Sequence, residues 1–296
     1  MVAGSGGGLI TLAAGPLSLT LSPRVGGSIA RFEHIADGHR FPILRGCDGV
    51  PGDVLAAGSF PLVPFVNRIR GGEFAFRGQT VRLAPNMTGD PSPLHGQGWL
   101  APWQVVQARE ADAVLRFEHE AGEWPWSYAA EQHFTLRPDG LEVSLSCTNR
   151  SPEAMPCGLG QHPYFHCGSA TRIDTEVTHV WLIDDQVLPT EKVPAEGRYD
   201  LAGAGVCGLG LDHGFGGWGG SACLSDPEWP VELTMSSPDA AFFQLYSPPG
   251  GAIFVAEAVT HANAALNTPE SAWPELGMMI LESGDAMSMT MRIGLN

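Results

Sequence analysis

Residues 128–148 read YAAEQHFTLRPDGLEVSLSCT, and the fold is decided there. Residues 128–136 and 141–148 are two strand-like runs, and Pro138, Asp139 and Gly140 between them are turn-forming types. Along the second run Leu141, Val143, Leu145 and Cys147 fall on one face, with Glu142, Ser144 and Ser146 on the other. That is the period of two expected of a half-buried strand. The end of the chain repeats the pattern, as Met287, Met289, Met291 and Ile293 alternate with Ser288, Thr290 and Arg292. A methionine stripe at this period reads as core. Shorter runs of the same kind occur at 17–21 and 28–32, 73–76 and 79–83, 103–107, 114–119, 177–183, 231–235, 241–246 and 253–256. No segment sustains a period of 3.6 over three turns. Short strands, frequent turns and little helix predict an all-β sandwich or barrel. No internal repeat and no linker divides the chain, so a single domain over residues 1–296 is expected, with 1–10 a flexible lead-in.

Composition narrows the partners. A hydrophobic fraction of 44% supports a substantial core, and 38 glycines and 24 prolines, spread without a repeat, suit a turn-rich chain. A formal charge of -16 argues against nucleic acid and anionic membranes, which need a basic face, and favours a neutral small molecule. The glycine-rich start lacks the basic residues of a signal peptide, and no stretch is long enough to span a bilayer, so the cytoplasm is the expected location. The cysteines at 47, 147, 157, 167, 207 and 223 form no CxxC pair and no tight framework, which predicts reduced thiols. Cys157, His162, His166 and Cys167 do not have zinc-ligand spacing, and neither metal nor cofactor is expected.

Five stretches carry polar residues that a plain sandwich does not need. In GLGQHPYF, residues 158–165, Pro163 biases His162 towards extended backbone, so the imidazole is presented from a strand end beside Tyr164 and Phe165. Asn67 and Arg68 precede a hairpin signal, and Arg68 brings a planar fork of donors suited to a hydroxyl or a ring oxygen. His95, before Gly96 in a long loop, is expected near the surface. Asp212 lies in a glycine-rich stretch, where it could accept from a diol or simply form a turn. Glu257 ends an apolar run, where a carboxylate is costly unless it is paired or used; a charge guarding an edge strand is the alternative. Histidine plus glutamate without metal is an acid/base pair. No nucleophile elbow suggests acyl transfer, and Asp212 with Glu257 keeps a glycosidase reading open.

In order, these residues resemble the aldose 1-epimerase (galactose mutarotase) family. Asn67-Arg68-Ile69 with Gly72, Phe74 and Gly78 resembles its asparagine–arginine loop and hairpin; Leu94-His95-Gly96 and His162-Pro163-Tyr164-Phe165 resemble its two histidine motifs. Leu211-Asp212, Gln244-Leu245-Tyr246-Ser247 and Val255-Ala256-Glu257 resemble its aspartate, glutamine and glutamate segments. The chain departs from the pattern at His166 and after Glu257, as divergent bacterial-type members do. The resemblance implies a β-supersandwich of the galactose mutarotase type, acting on a sugar as monomer or homodimer. It implies Glu257 as general base at the C1 hydroxyl and His162 as general acid at the ring oxygen. Asn67, Arg68, His95, Asp212 and Gln244 would bind the sugar. With an ordinary pKa of about 6.5, His162 would need a neighbouring acid or strong hydrogen bond to be charged at neutral pH. Hexose-6-phosphate mutarotases share the scaffold but need a basic pocket, which Arg70, Arg77 and Arg82 could supply. A non-catalytic sugar binder is the remaining alternative.

Overall fold

The computed structural model describes residues 8–296. Its organising feature is the 128–148 hairpin: strand Tyr128–Arg137 pairs with Gly140–Asn149, placing Phe134 opposite Val143 and Leu136 opposite Leu141. The methionine strand Ala286–Leu295 completes the pattern, with Ile293, Met291 and Met289 opposite Leu141, Val143 and Leu145. All six of those side chains are fully buried. Apolar stripes of period two meet across the ladder, so the register is fixed by burial: a slip of one residue would turn them all to solvent. Outward from this centre grows a nine-stranded antiparallel sheet, ending at Gln104–Ala108 on one edge and Ala204–Gly205 on the other.

A second large sheet runs in the order Pro189–Pro194, His179–Ile183, Leu211–Gly216, Phe242–Ser247, Ile253–Val259, Gly160–Gln161 and Pro61–Leu62, with Tyr164–His166 also pairing with Ile253–Val259. Its inward residues, including Phe215, Phe243, Leu245, Phe254, Ala256 and Ala258, belong to the same buried cluster as the methionine stripe, a cluster reaching from Leu12 to Ile293. On the opposite face Leu62, Tyr164, Phe242, Val255 and Val259 build a smaller cluster with Phe60 and Trp99. Ile253–Val259 is therefore buried on both faces. Among the described residues the only helical elements are short 3-10 turns, and no helix is long and apolar enough to cross a membrane.

Two expectations change. Of the expected lead-in over 1–10, residues 1–7 lie outside the described residues, but Ile10 opens a strand, Ile10–Ala14, whose Leu12 pairs with Leu19 and is buried. The apolar alternation carries the chain into the N-terminal four-stranded sheet earlier than the glycines suggested. The thiols are not all reduced either: Cys167 and Cys207 form a disulfide across Cα atoms 5.6 Å apart. The pairing arises because the chain end after Tyr164–His166 and the turn before Leu211–Gly216 meet beside one sheet, which a sequence separation of 40 does not reveal. Cys147, on the apolar face of its strand, is a core residue as expected, and Cys157 is buried too.

Candidate active site

The site lies on the outer face of the second sheet. Glu257 stands directly opposite Gln244 on the neighbouring strand, while Tyr246 faces both Asp212 and Val255, and Val255 faces Tyr164. Because side chains alternate along a strand, this face receives Asp212, Gln244, Tyr246, Glu257 and Tyr164, while Leu245, Ala256 and Ala258 point to the core. Glu257 belongs to a central strand with neighbours on both sides, so it guards no edge. His162 sits in the interruption between Gly160–Gln161 and Tyr164–His166. Its N–H donates to the Phe60 carbonyl (3.1 Å), and that of Tyr164 donates to Gly58 (2.8 Å). Tyr164 faces the cavity, whereas Phe165 turns to the core and stacks on Phe254.

The facing wall is a pair of loops locked together. Asn67 and His95 both adopt left-handed backbone, with φ of 55° and 58°. The His95 N–H donates to the Asn67 carbonyl (3.0 Å), and the Asn67 N–H donates to His95 Nδ1 (3.1 Å). Strained backbone at two non-glycine residues persists only where the surroundings over-determine it. Gly96 is part of that constraint, since a Cβ there would fall 2.2 Å from the Val63 carbonyl oxygen. His95 is therefore buried, not at the surface as its loop suggested. With Nδ1 accepting, its proton resides on Nε2. Beneath these loops His261 Nε2 accepts the Val66 N–H (3.0 Å) while Nδ1 donates to the Ala262 carbonyl (2.8 Å).

Between the walls lies a cavity of ≈ 430 Å³, onto which Asn67, Arg68, His95, His162, Asp212 and Glu257 all open. The sequence candidates thus converge, with one refinement. Gln244 does not line the cavity; its Nε2 donates to Asp212 Oδ1 (2.7 Å) and its Oε1 accepts from Asn67 Nδ2 (3.4 Å), so it braces two wall residues from behind. Arg68 donates through Nε to Asp90 (2.8 Å) and lies 3.8 Å from Asp212. His162 Nε2 and Glu257 Oε1 are 3.5 Å apart, both side chains nearly out of solvent. Glu257 Oε2 and His162 Nδ1 are buried and have no hydrogen-bond partner among the described residues.

Burial governs protonation here. It pushes the Glu257 carboxyl well above its ordinary range, with Asp212 adding to the push and Arg68 opposing it. It drives His162 down to about 3, against a contribution from the residue's own backbone that favours the cation without making a geometric hydrogen bond to the ring, and with Arg45 disfavouring the cation further. His95 is likewise held well below its ordinary value by burial, then by His162 and Arg68. Asp212 is raised by burial, against Arg68 and Gln244. Burial thus favours the carboxylic acid form of Glu257 and the neutral form of the His162 imidazole beside it. His162 is not kept charged by its neighbours, because desolvation outweighs them. Acid plus imidazole and carboxylate plus imidazolium contain the same single exchangeable proton, so a shift across the pair produces the charged form without uptake from solvent.

Sequence reasoning missed Phe60, which stacks on His162, Asp90, which holds Arg68, and Arg45, whose guanidinium covers Tyr164 at 3.7 Å. None stands in a patterned stretch; only Asp90, in the loop before His95, offered a chemical cue. Arg70, Arg77 and Arg82 do not assemble a basic pocket: they pair with Asp184, Glu282 and Glu73, and none opens onto the cavity. Among the described residues no cluster of three or more histidine, cysteine or acidic side chains is disposed to hold a metal ion.

The chain belongs to the aldose 1-epimerase family, whose model matches residues 8–294. It is similar to the uncharacterized protein YphB of Escherichia coli K12, with 34% identity over 275 residues, 88% of this chain and 91% of the relative. A crystallised candidate aldose 1-epimerase of Escherichia coli K12 superposes with a TM-score of 0.87 at 30% identity, over 97% of this chain and 98% of that one. A galactose mutarotase-like protein of Clostridium acetobutylicum superposes at 0.84 with 19% identity, over 97% of this chain and 94% of that one, which establishes the shared β-sandwich fold.

Proposed function

We propose that the protein is a mutarotase that interconverts the α and β anomers of a free aldose by opening and reclosing its ring. The observation that carries this reading is the buried pair, His162 Nε2 and Glu257 Oε1 3.5 Å apart, at a cavity onto which Asn67, His95, Asp212 and the Asp90-held Arg68 also open. A hemiacetal carries its hydroxyl and its ring oxygen on one carbon. Opening it removes a proton from the first and adds one to the second, so acid and base must both reach the same spot, within about 2.6–3.2 Å of their oxygens. A close acid/base pair meets that requirement. Glu257, as carboxylate, takes the C1 hydroxyl proton. His162, as imidazolium, protonates the ring oxygen, the C1–O bond breaks, and the aldehyde end rotates before closure reverses the transfers. The proton that makes the imidazolium comes from Glu257 itself, and Arg68 favours the carboxylate left behind.

Asn67, Arg68, His95 and Asp212 would hold the sugar. His95, with its proton on Nε2, can donate to a substrate oxygen while staying neutral. Asp212 accepts from a hydroxyl, and Gln244 fixes its carboxylate. Arg70, Arg77 and Arg82 pair with carboxylates outside the cavity, and of the two arginines that line it Arg68 is held by Asp90 while Arg45 donates to the Leu55 and Ala57 carbonyls, which favours a free sugar over a sugar phosphate. The reading is tested by polarimetry on freshly dissolved α-D-glucose, α-D-galactose and a pentose, with Glu257→Gln and His162→Asn beside wild type. Acceleration lost in both variants supports it. Absence of acceleration with every free aldose by a folded protein overturns it in favour of a phosphorylated substrate or a sugar binder.

A further inference from the structure

We propose that Phe60 is a positioning residue for His162, its stacked ring doing what a second hydrogen bond does for most catalytic imidazoles. The proposal rests on the mutarotase reading above for His162's role. An imidazole that transfers a proton from one nitrogen is ordinarily oriented, and its tautomer fixed, by a hydrogen bond at the other. His162 lacks one among the described residues: Nε2 faces Glu257, and the buried Nδ1 meets no hydrogen-bond partner there. The ring is instead held by other rings. Phe60 lies over its face at 4.4 Å with the planes 17° apart. Tyr164 stands beside it at 4.8 Å, and His95 meets it edge-on at 5.4 Å and 82°. Since Phe60 and Tyr164 are only 6.2 Å apart, Tyr164 closes a flank and not the opposite face.

Phe60 is itself fixed from two directions. Its carbonyl accepts the His162 N–H at 3.1 Å, so one residue sets both the backbone and the ring of His162. Its ring stacks on Trp99 at 5.5 Å and 29°. The Trp99 indole N–H is tied to the Leu94 and Gly96 carbonyls at 3.0 and 3.1 Å, on the loop that presents His95. One aromatic spine, Trp99–Phe60–His162, therefore links the His95 loop to the proposed acid. Rotation of the imidazole must slide it off the Phe60 face, and an aromatic face also favours the imidazolium form when the proton arrives.

The test compares Phe60→Leu, which keeps apolar bulk without the face, with Phe60→Tyr, which keeps the face. Anomer exchange is followed for kcat and KM separately, with a melt to count folded molecules. Phe60→Leu is expected to lower kcat about 10- to 100-fold, the scale of a small misplacement of a reacting group, while KM stays within about twofold. Phe60→Tyr is expected to return kcat to within about threefold of wild type. Nitrogen-15 spectra of the His162 ring supply a readout that needs no activity: one neutral tautomer in wild type, averaged signals in Phe60→Leu. Unchanged kcat in Phe60→Leu, or ring signals identical to wild type, overturns the proposal. If wild type accelerates no aldose, the mutarotase reading falls, and the ring spectra still decide whether Phe60 orients His162.

Discussion

The two large sheets share one core and differ in what they bury. At the centre of the nine-stranded sheet, Leu141, Val143 and Leu145 meet Ile293, Met291 and Met289, and the interior contact is entirely apolar. In the other sheet, Ile253–Val259 sends Phe254, Ala256 and Ala258 to that same core but buries Glu257 on its far face, opposite Gln244 and 3.5 Å from His162. A buried carboxyl and an unpartnered ring nitrogen are unfavourable for folding. Stability and chemistry are thereby separated onto the two sheets, and substitutions in each should move one property without the other.

The largest effect should come from Glu257→Gln. The glutamine has the shape of the protonated acid that burial already favours, so the melting temperature should stay level or rise while the rate of anomer exchange falls about 10²–10⁴-fold. Leu145→Ala is the mirror experiment. Truncating a fully buried leucine should cost about 2–5 kcal/mol in urea unfolding with kcat per folded molecule unchanged. If Glu257→Gln lost stability as heavily as Leu145→Ala, or Leu145→Ala lost kcat, the separation would be wrong.

The same contrast explains what could be read from the sequence. The nine-stranded sheet was legible because its strands Tyr128–Arg137, Gly140–Asn149 and Ala286–Leu295 are each ten residues long, and a period of two survives over that length. Around the site the strands shrink to Gly160–Gln161, Tyr164–His166 and Pro61–Leu62, too short to carry any period. Glu257 read as a strand end because Ile253–Val259 is buried on both faces and shows no alternation. His95 read as exposed because nothing local signals that its loop closes against Asn67, 28 residues earlier. The stack on His162 and the Asp90–Arg68 pair are contacts between loops. Chemical type identified the candidates, and only the fold shows which of them line the cavity and which, like Gln244, stand behind it.

Gly158→Ala should give an intermediate effect and tests whether the loop wall depends on the sheet. A Cβ at Gly158 would lie 2.0 Å from His261 Cδ2 and 2.6 Å from its Nε2, the atom that accepts the Val66 N–H. His261 cannot retreat without giving up that bond or the one to Ala262. Overpacking of this kind costs about 1–3 kcal/mol. Because Val66 leads directly into Asn67 and Arg68, KM for the sugar should rise several-fold, with kcat changing less. A Gly158→Ala protein with wild-type KM and stability would show that His261 is not what holds the loop.

The smallest effect is a change of slope. In the native state His162 protonates only near 3, whereas unfolded it does so near its ordinary 6.5. As pH falls below 6.5 the unfolded chain binds a proton that the native one refuses, so this group makes stability rise with pH up to that point. Glu257 acts in the opposite sense: from its ordinary 4.5 up to its raised native value, the native state keeps a proton that the unfolded chain has released, and stability falls with pH. From 4.5 up to 6.5, or up to the raised native value of Glu257 where that comes first, the two contributions oppose each other in wild type. Glu257→Gln removes the falling contribution and should steepen the rise of stability with pH by up to about 1.4 kcal/mol per unit, while His162→Asn should shift the slope by a similar amount the other way. His261, lowered to about 4, and Asp212, raised by burial, are common to all three proteins and leave the differences intact. Urea midpoints at several pH values in this window would measure it. Three parallel lines would mean that the pair is not held as acid and neutral imidazole; slopes displaced in opposite directions would assign one proton of opposite linkage to each residue.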